Sequence, residues 1–281
     1  MYFRQVTEKR QKSPRPGWTS YHVHSLWSDG ADSIADLVAA APEYQVEEIG
    51  VSDHLVIRPE GAPVASWSLP AERLDDYIAD VIRARDAAAV PVKIGLEVDY
   101  LPEQMDKLRQ LLEGRGFDYL IGSVHFVGDF PVDESESFWA RLSAEETNDV
   151  CRRYWLLVGQ MAEAGLFHLG GHLDLVKKFD FRATADLSRE IGGALDAIAR
   201  AGMAVELNTS GWSKPCREPY PSRQLLRQAA SRGIPVVITA DAHRKMDLTR
   251  DFDRAAEMLD ELGITDSLRF ASGRAVKIPA P

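Results

Sequence analysis

The chain repeats a pattern in which an amphipathic stretch is followed by a glycine and then by a short apolar run. The pattern occurs in MAEAGLFHLGGH, AIARAGMAVELN, AASRGIPVVITA and MLDELGITDSLRF. Gly165, Gly202, Gly233 and Gly263 stand where the end of a helix favours a residue in the left-handed conformation. Each apolar run that follows is typical of a strand that is buried on both faces. The alternation predicts parallel βα units with right-handed crossovers.

The first half of the chain has a less regular form of the same alternation. Strands are predicted in EEIGVSDH, VKIGLEVDY and FDYLIGSVHF. Helices are predicted near residues 33–41, 71–88, 144–164, 187–201 and 222–232. Ser143 and Glu146 have the spacing of a capping box at the start of one of them. About seven core strands result, which favours one closed or distorted α/β barrel over two domains. We expect a polar arm at residues 1–18 and a single barrel domain at 19–281.

Composition and charge restrict the classes of function. The 281 residues carry a net charge of −10, which argues against nucleic-acid or anionic-membrane partners because these need a positive field. No stretch reaches the roughly 20 apolar residues of a membrane-spanning helix, and the N-terminus lacks the apolar segment of a secretory signal. Cys151 and Cys216 cannot form a disulfide framework, so we expect a cytoplasmic protein. The sequence does not indicate an oligomeric state.

Side chains able to bind metal ions stand at the end of every predicted core strand. In chain order they are His22 and His24, Asp53 and His54, Glu97 and Asp99, His125, His172 and Asp174, Glu206 and Asn208, and Asp241 and His243. The carboxyl ends of barrel strands form one rim, so six of the seven histidines are expected to converge there. Asp99, Asp174 and Glu206 could bind an ion, orient its ligands or face solvent. His168 lies within a strand, where a core or positioning role is expected.

Imidazoles and carboxylates without a thiolate suit Zn²⁺, Mn²⁺ or Fe²⁺. The set is too large for one ion and sufficient for two or three. Ions about 4 Å apart can hold a bridging hydroxide and bind the oxygens of an in-line displacement. Such a cluster would lower the pKa of bound water toward neutrality and would attract an anionic substrate such as a phosphate despite the negative net charge.

The order of these segments resembles that of one known superfamily. The segments are HVHSLWSDG, GVSDH, GLEVDY, GSVHF, GHLDLVKKF, ELNTSG and TADAH. They are similar to those of the polymerase-and-histidinol-phosphatase (PHP) superfamily, and GHLDLVKKF and ELNTSGWSKPCREPYPS most resemble its histidinol-phosphatase branch. The resemblance implies a distorted (β/α)7 barrel with a trinuclear metal centre at the carboxyl ends of its strands. It also implies hydrolysis of L-histidinol phosphate, in histidine biosynthesis, by a hydroxide that bridges the metal ions.

The resemblance further implies roles for individual residues. The first ion would be bound by His22, His24, Glu97 and Asp241, the second by Glu97, His125 and His172, and the third by Asp29, His54 and His243. Four of these, Glu97, His125, Asp241 and His243, would be catalytic. Asp29 could instead serve only the turn in SDG. Phosphate would be bound by Lys177 and Lys214, with Arg217, Arg244 and Lys178 as alternatives, although a solvated surface role is open for each.

Other interpretations remain open at this point. The same ligands would serve a PHP phosphoesterase acting on another small phosphate ester or a nucleotide. An amidohydrolase-like C–N hydrolase also uses an HxH pair, but it has no use for the third set of ligands. A polymerase-associated proofreading module and a metal-binding protein without activity are further alternatives. The acidic and aromatic segment 127–139 could bind the amine and imidazole of histidinol, or it could be a surface loop.

Overall fold

The computed structural model describes residues 17–62 and 65–280. Of the arm expected at residues 1–18, residues 1–16 lie outside the described part, and Trp18 already belongs to the first strand. Within these ranges, no helix combines the length and the apolar character that crossing a membrane would require.

The described residues form a barrel of parallel strands. The strands are β1 (Trp18–Ser20), β2 (Val46–Val51), β4 (Val92–Asp99), β5 (Tyr119–Ser123), β8 (Leu169–Gly170), β9 (Ala204–Asn208) and β10 (Val236–Thr239). They pair in this order, and a short strand, β3 (His54–Leu55), is added alongside β4. A parallel bridge between Val23 and Ala242 joins the two ends of the sheet. The predicted distorted seven-stranded barrel is therefore confirmed.

Helices cover the outside of the barrel. They are α1 (Ile34–Ala40), α2 (Leu74–Asp86), α3 (Met105–Leu112), α4 (Glu136–Trp139), α5 (Ala144–Glu163), α6 (Ser188–Ala201), α7 (Arg223–Ala230) and α8 (Phe252–Leu262). The five helices predicted by position are confirmed, α8 contains the amphipathic stretch of MLDELGITDSLRF, and α3 and α4 are additional. The capping box of Ser143 and Glu146 opens α5, and Gly202 ends α6 at φ +67°. Apolar residues at helical spacing bury the inner face of α5, which packs along α6.

Strand β11 (Asp266–Ala271) differs from its prediction as a further barrel unit. It pairs antiparallel with β12 (Arg274–Pro279) in a separate hairpin, and two further short strands, β6 (Phe126–Val127) and β7 (Phe130–Pro131), also pair only with each other. The ring of Phe270 lies 5.1 Å from that of Tyr21 and 5.2 Å from that of Tyr119. The β11–β12 hairpin thus closes the barrel below the rim with aromatic contacts.

His168 joins this hairpin to the barrel. Its Nδ1 accepts a hydrogen bond from the backbone N–H of Leu120 at 3.0 Å, and its Nε2–H donates to the carbonyl of Gly273 at 3.1 Å. Burial lowers the pKa of His168, which favours the neutral ring that these two bonds require. The histidine outside the rim therefore has a structural role.

We expect the His168→Ala variant to lose about 1–3 kcal/mol of unfolding free energy, because it leaves the backbone N–H of the buried residue Leu120 without its acceptor. The folded-state pKa lies below the ordinary value of 6.5, so the contribution of the neutral ring is present above that pH and decreases as the pH falls. Urea unfolding at pH 7.5 and 5.5 should show a smaller difference from wild type at the lower pH. A difference that is equal at both pH values would contradict this role.

Candidate metal centre

The strand ends bring all nine predicted ligands together. His22 and His24 follow β1, His54 begins β3, Glu97 lies in β4, His125 follows β5, His172 follows β8, and Asp241 and His243 follow β10. Asp29 comes from the loop between β1 and α1. Because the carboxyl ends of parallel strands meet at one edge, ligands far apart in sequence become neighbours.

Glu97 lies at the centre of the site. Its carboxylate oxygens are 2.7 Å from His172 Nε2, 2.8 Å from His54 Nδ1 and 3.1 Å from His22 Nε2. The Nε2 atoms of His24 and His125 lie at 3.5 Å. The side chain is fully buried, with 0% exposure, and no Lys or Arg is paired with it among the described residues. One carboxylate surrounded by five imidazoles is an arrangement suited to bridging metal ions.

The remaining carboxylates extend the cluster. Asp241 Oδ1 is 3.1 Å from His24 Nε2 and 3.5 Å from His22 Nε2. Asp29 Oδ1 is 3.2 Å from His243 Nε2 and 3.6 Å from His54 Nε2. Asp29 thus faces the imidazoles in addition to forming its turn.

Four overlapping groups have ligand atoms within 4.8 Å of one another. They are His24, Asp29, His54 and His243; His22, His172 and Asp241; His22, His24 and Glu97; and His54, Glu97 and His125. All nine predicted ligands occur in these groups, and several are shared. The first group contains Asp29, His54 and His243, which the resemblance assigns to the third ion, and it adds His24. His172 groups with His22 and Asp241, whereas the resemblance places it with Glu97 and His125. The described residues can therefore hold more than one ion.

Several polar atoms in the cluster have no hydrogen-bond partner among the described residues. They include His22 Nε2, both ring nitrogens of His24, His54 Nδ1 and Glu97 Oε2. An unpaired buried polar group costs about 1–3 kcal/mol, so a fold that concentrates them needs compensation. A divalent cation satisfies nitrogen and oxygen lone pairs together, and the donor set fits Zn²⁺, Mn²⁺ or Fe²⁺.

The charges in the cluster shift its pKa values in opposite directions. Burial alone would raise the pKa of Glu97, but the surrounding imidazoles hold it well below the usual range. Burial, with the charges of His54 and His243, lowers the pKa of His24 to about 3, which leaves this ring neutral, as a metal ligand must be. Burial would also lower the pKa of His125, but Asp99 and Glu97 raise it to about 10. Bound cations would displace such protons.

Carboxylates behind the imidazoles orient them. Glu206 lies 2.6 Å from His22 Nδ1 and accepts a hydrogen bond from the backbone N–H of His172 at 2.8 Å. Asp99 contacts Nδ1 of His125. Such partners fix the tautomer and leave Nε2 free to face the centre. Asp99 and Glu206 thus contact two of the candidate ligands, whereas Asp174 forms an ion pair with Lys177 at 2.8 Å.

A cleft of about 430 Å³ opens above the cluster, and six of the nine predicted ligands line it. Three cationic side chains also line it, namely Lys178, Lys214 and Arg250. Lys178 donates to the Asp133 carboxylate at 3.2 Å, and Arg250 pairs with Asp247 at 3.3 Å. Lys214 forms no ion pair within 4 Å among the described residues. The cleft therefore brings the carboxylates of the candidate metal ligands close to three cationic side chains.

The structure places three predicted phosphate-binding residues outside this cleft. Lys177 is 2% exposed, and its ammonium is bound by Asp174 at 2.8 Å and Glu218 at 3.1 Å. A short 3₁₀ turn at Leu175–Lys177 directs the next residue, Lys178, to the cleft instead. Arg217 and Arg244 are exposed and do not line the cleft. Of the predicted pair, only Lys214 is in position to meet a substrate.

Sequence reasoning did not single out several residues of the cleft, among them Arg250 and Trp67. Arg250 lies in the irregular segment between β10 and α8, seven residues after His243, and its Nε is buried without a hydrogen-bond partner. Trp67 follows β3, and its ring centroid lies 4.6 Å from that of His54. Neither residue stands at a strand end, so the pattern that found the ligands carries no signal for them.

Comparison with known proteins agrees with this site. A model of the PHP domain family matches residues 20–210. A Deinococcus radiodurans protein named a probable histidinol-phosphatase is 34% identical over 251 residues, which cover 88% of this chain and 94% of the relative. The histidinol-phosphatase of Bacillus subtilis is 26% identical over 251 residues, which cover 81% of this chain and 94% of that protein.

The fold also matches a solved structure. The histidinol phosphate phosphatase of Lactococcus lactis, crystallised with zinc, L-histidinol and phosphate, superimposes with a TM-score of 0.75 at 22% identity. The match covers 92% of this chain and 99% of that protein. The family model spans more than half of the chain, and the Deinococcus relative exceeds 30% identity along nearly all of its length. The chain belongs to the PHP domain family.

Proposed function

We propose that this chain is a metal-dependent phosphomonoesterase that hydrolyses L-histidinol phosphate in histidine biosynthesis. The observation that carries the proposal is a cluster of nine imidazole and carboxylate ligands that opens into a cleft lined by three cationic side chains. The names of the relatives support the substrate. The proposal includes a cytoplasmic location, which the two unpaired cysteines favour.

The proposal assigns the metal ions to the nine ligands, with Glu97 shared between sites. When bound, divalent cations supply Lewis acidity to the phosphate oxygens and a nucleophile at neutral pH. Asp99 and Glu206 hold His125 and His22 in the orientation that faces the centre. Ser123 donates to Glu97 at 2.6 Å and fixes the central carboxylate.

The cationic residues neutralise the phosphate group. Burial, together with the charge of Lys178, lowers the pKa of Lys214, so an anion in the cleft would favour its charged form. Lys178 and Arg250 are held by Asp133 and Asp247 and offer fixed donors in the same cleft. Positive charge placed before the substrate arrives stabilises the charge that develops during phosphoryl transfer.

A panel of phosphate esters assayed with Mn²⁺ or Zn²⁺ tests the substrate. The panel contains L-histidinol phosphate, p-nitrophenyl phosphate, glycerol phosphate and a nucleoside monophosphate. We expect the largest kcat/KM for L-histidinol phosphate. A value no larger than that for the generic esters would refute the substrate and favour a PHP phosphoesterase acting on another small phosphate.

Replacing Lys214 with alanine should lower kcat/KM for phosphomonoesters by roughly 10- to 100-fold, since a hydrogen bond to a charged group contributes about 1.5–3 kcal/mol. Inhibition by inorganic phosphate should weaken in parallel. Arg217→Ala is the matched control, because this exposed cation lies outside the cleft. Equal effects of the two substitutions would contradict the assignment of Lys214.

A further inference from the structure

One wall of the cleft contributes to the proposed chemistry only through Asp133, which holds Lys178. It consists of Trp67, Phe126 and Pro131 together with the carboxylates of Asp133 and Glu134. Apart from Trp67, these residues belong to the β6–β7 hairpin and the loop that leads to α4. A phosphate ester bound at the metal ligands would have its alcohol portion in the same cleft as this wall.

The aromatic part of this wall stands directly beside the metal ligands. The Trp67 ring meets the His54 ring edge-on at 4.6 Å and the His125 ring at 5.5 Å. The planes of Trp67 and Phe126 lie within 11° of each other, and the guanidinium of Arg58 covers one face of Phe126 at 4.3 Å. A planar ring carried by the substrate would therefore find an ordered aromatic surface next to the reacting phosphate.

The carboxylates that line the cleft outside the ligand set are not equivalent. Asp133 is paired with Lys178 at 3.2 Å and Asp247 with Arg250 at 3.3 Å. Glu134 lines the same cleft, and it has no ion pair or hydrogen bond from its carboxylate among the described residues. It is thus the carboxylate whose charge remains available to a ligand.

We propose that Glu134 binds the ammonium group of the substrate's alcohol portion while Trp67 contacts its ring. This inference rests on the proposed function and adds to it a residue that selects the substrate class, phosphate esters of amino alcohols that carry a planar ring. The phosphate would be held at the metal ligands and Lys214, and the cationic portion at Glu134 in the same cleft. Separate groups of opposite charge for the phosphate and the ammonium would favour one orientation of the substrate.

A double cycle, in which wild type and the Glu134→Gln variant are each assayed with two substrates, tests the role of Glu134. The substrates are L-histidinol phosphate and 3-(imidazol-4-yl)propyl phosphate, which lacks only the amine. We expect Glu134→Gln to lower kcat/KM for the first by roughly tenfold and to change that for the second by less than about twofold. Glu136→Gln, an exposed glutamate of α4 outside the cleft, is the control and should leave both values unchanged.

The same cycle shows which part of the account fails. Equal losses for both substrates, or no loss for either, would overturn the assignment of Glu134 while leaving the proposed function intact, provided that wild type prefers L-histidinol phosphate. A wild type without that preference would overturn both proposals.

A second variant tests the ring contact independently. We expect Trp67→Leu to lower kcat/KM for L-histidinol phosphate more than for ethanolamine phosphate, which has an amine but no ring. Any general effect on the neighbouring imidazoles would reduce both values alike, so the ratio isolates the contact. An unchanged ratio would overturn the role of Trp67.

Discussion

Replacing Glu97 with glutamine is expected to reduce kcat by roughly a thousandfold or more, because metal-ion stabilisation contributes several kcal/mol. The carboxylate lies within 3.5 Å of five imidazoles, and no other carboxylate in the cluster contacts as many. The amide is neutral and cannot bridge cations with two anionic oxygens. Turnover of L-histidinol phosphate should be measured together with bound metal by elemental analysis.

A matched control separates this effect from loss of stability. Glu48 is also a buried glutamate, but its carboxylate contacts the hydroxyl of Tyr21 and lies 3.6 Å from the ammonium of Lys93, outside the ligand set. Glu48→Gln should lower the melting temperature and retain the metal content and kcat of the folded protein. A Glu97→Gln variant that keeps wild-type metal content and turnover would contradict the central role of this residue.

Removing the metal ions with a chelator should abolish turnover and lower the melting temperature, and adding Zn²⁺ or Mn²⁺ should restore both. The cluster contains buried ring nitrogens and a carboxylate oxygen without hydrogen-bond partners, which a cation would satisfy. Each ion present at 100 times its Kd adds about 2.7 kcal/mol to the free energy of unfolding. Kinetic assays and thermal unfolding of the stripped and reloaded enzyme provide the measurement.

If adding the metal ions back restores turnover and the melting temperature, the losses are due to removal of the ions and not to another effect of the chelator. His168→Ala serves as a control, because His168 lies away from the cluster and its loss should not change the response to metal. Full turnover by the stripped enzyme would contradict a metal-dependent reaction.

The ligand cage could be predicted because the fold class and the site depend on the same pattern. Once buried runs are interpreted as parallel strands, the residues that follow them must meet at one rim. His22, His125 and Asp241, separated by more than two hundred positions, are brought together in this way. Asp29 comes from a loop, so its place beside His243 rests on tertiary structure that strand patterns do not specify.

The cleft was less predictable because its residues come from irregular segments. Lys177 and Lys178 are adjacent, and a single 3₁₀ turn, preceded by Asp174 at φ +74°, decides which one reaches the cleft. No periodicity in sequence encodes that choice.

The β11 run shows a different difficulty. It has the same glycine-then-apolar pattern as the barrel strands, but Ser272 and Gly273 both adopt positive φ, at 51° and 69°. Two such residues favour a tight turn and therefore an antiparallel hairpin. The dipeptide Ser272-Gly273 is thus the feature of the sequence that distinguishes β11 from the strands of the barrel.

Anomalous diffraction at the zinc absorption edge, from crystals grown with zinc and phosphate, would show whether the nine ligands hold several ions together. We expect two or three peaks inside the cage, each about 2.0–2.2 Å from imidazole nitrogens or carboxylate oxygens and about 3.5–4 Å from its neighbour. Glu97 should contact more than one of them. The absence of peaks from the rim, or a single ion that leaves most of the nine ligands unused, would contradict the account.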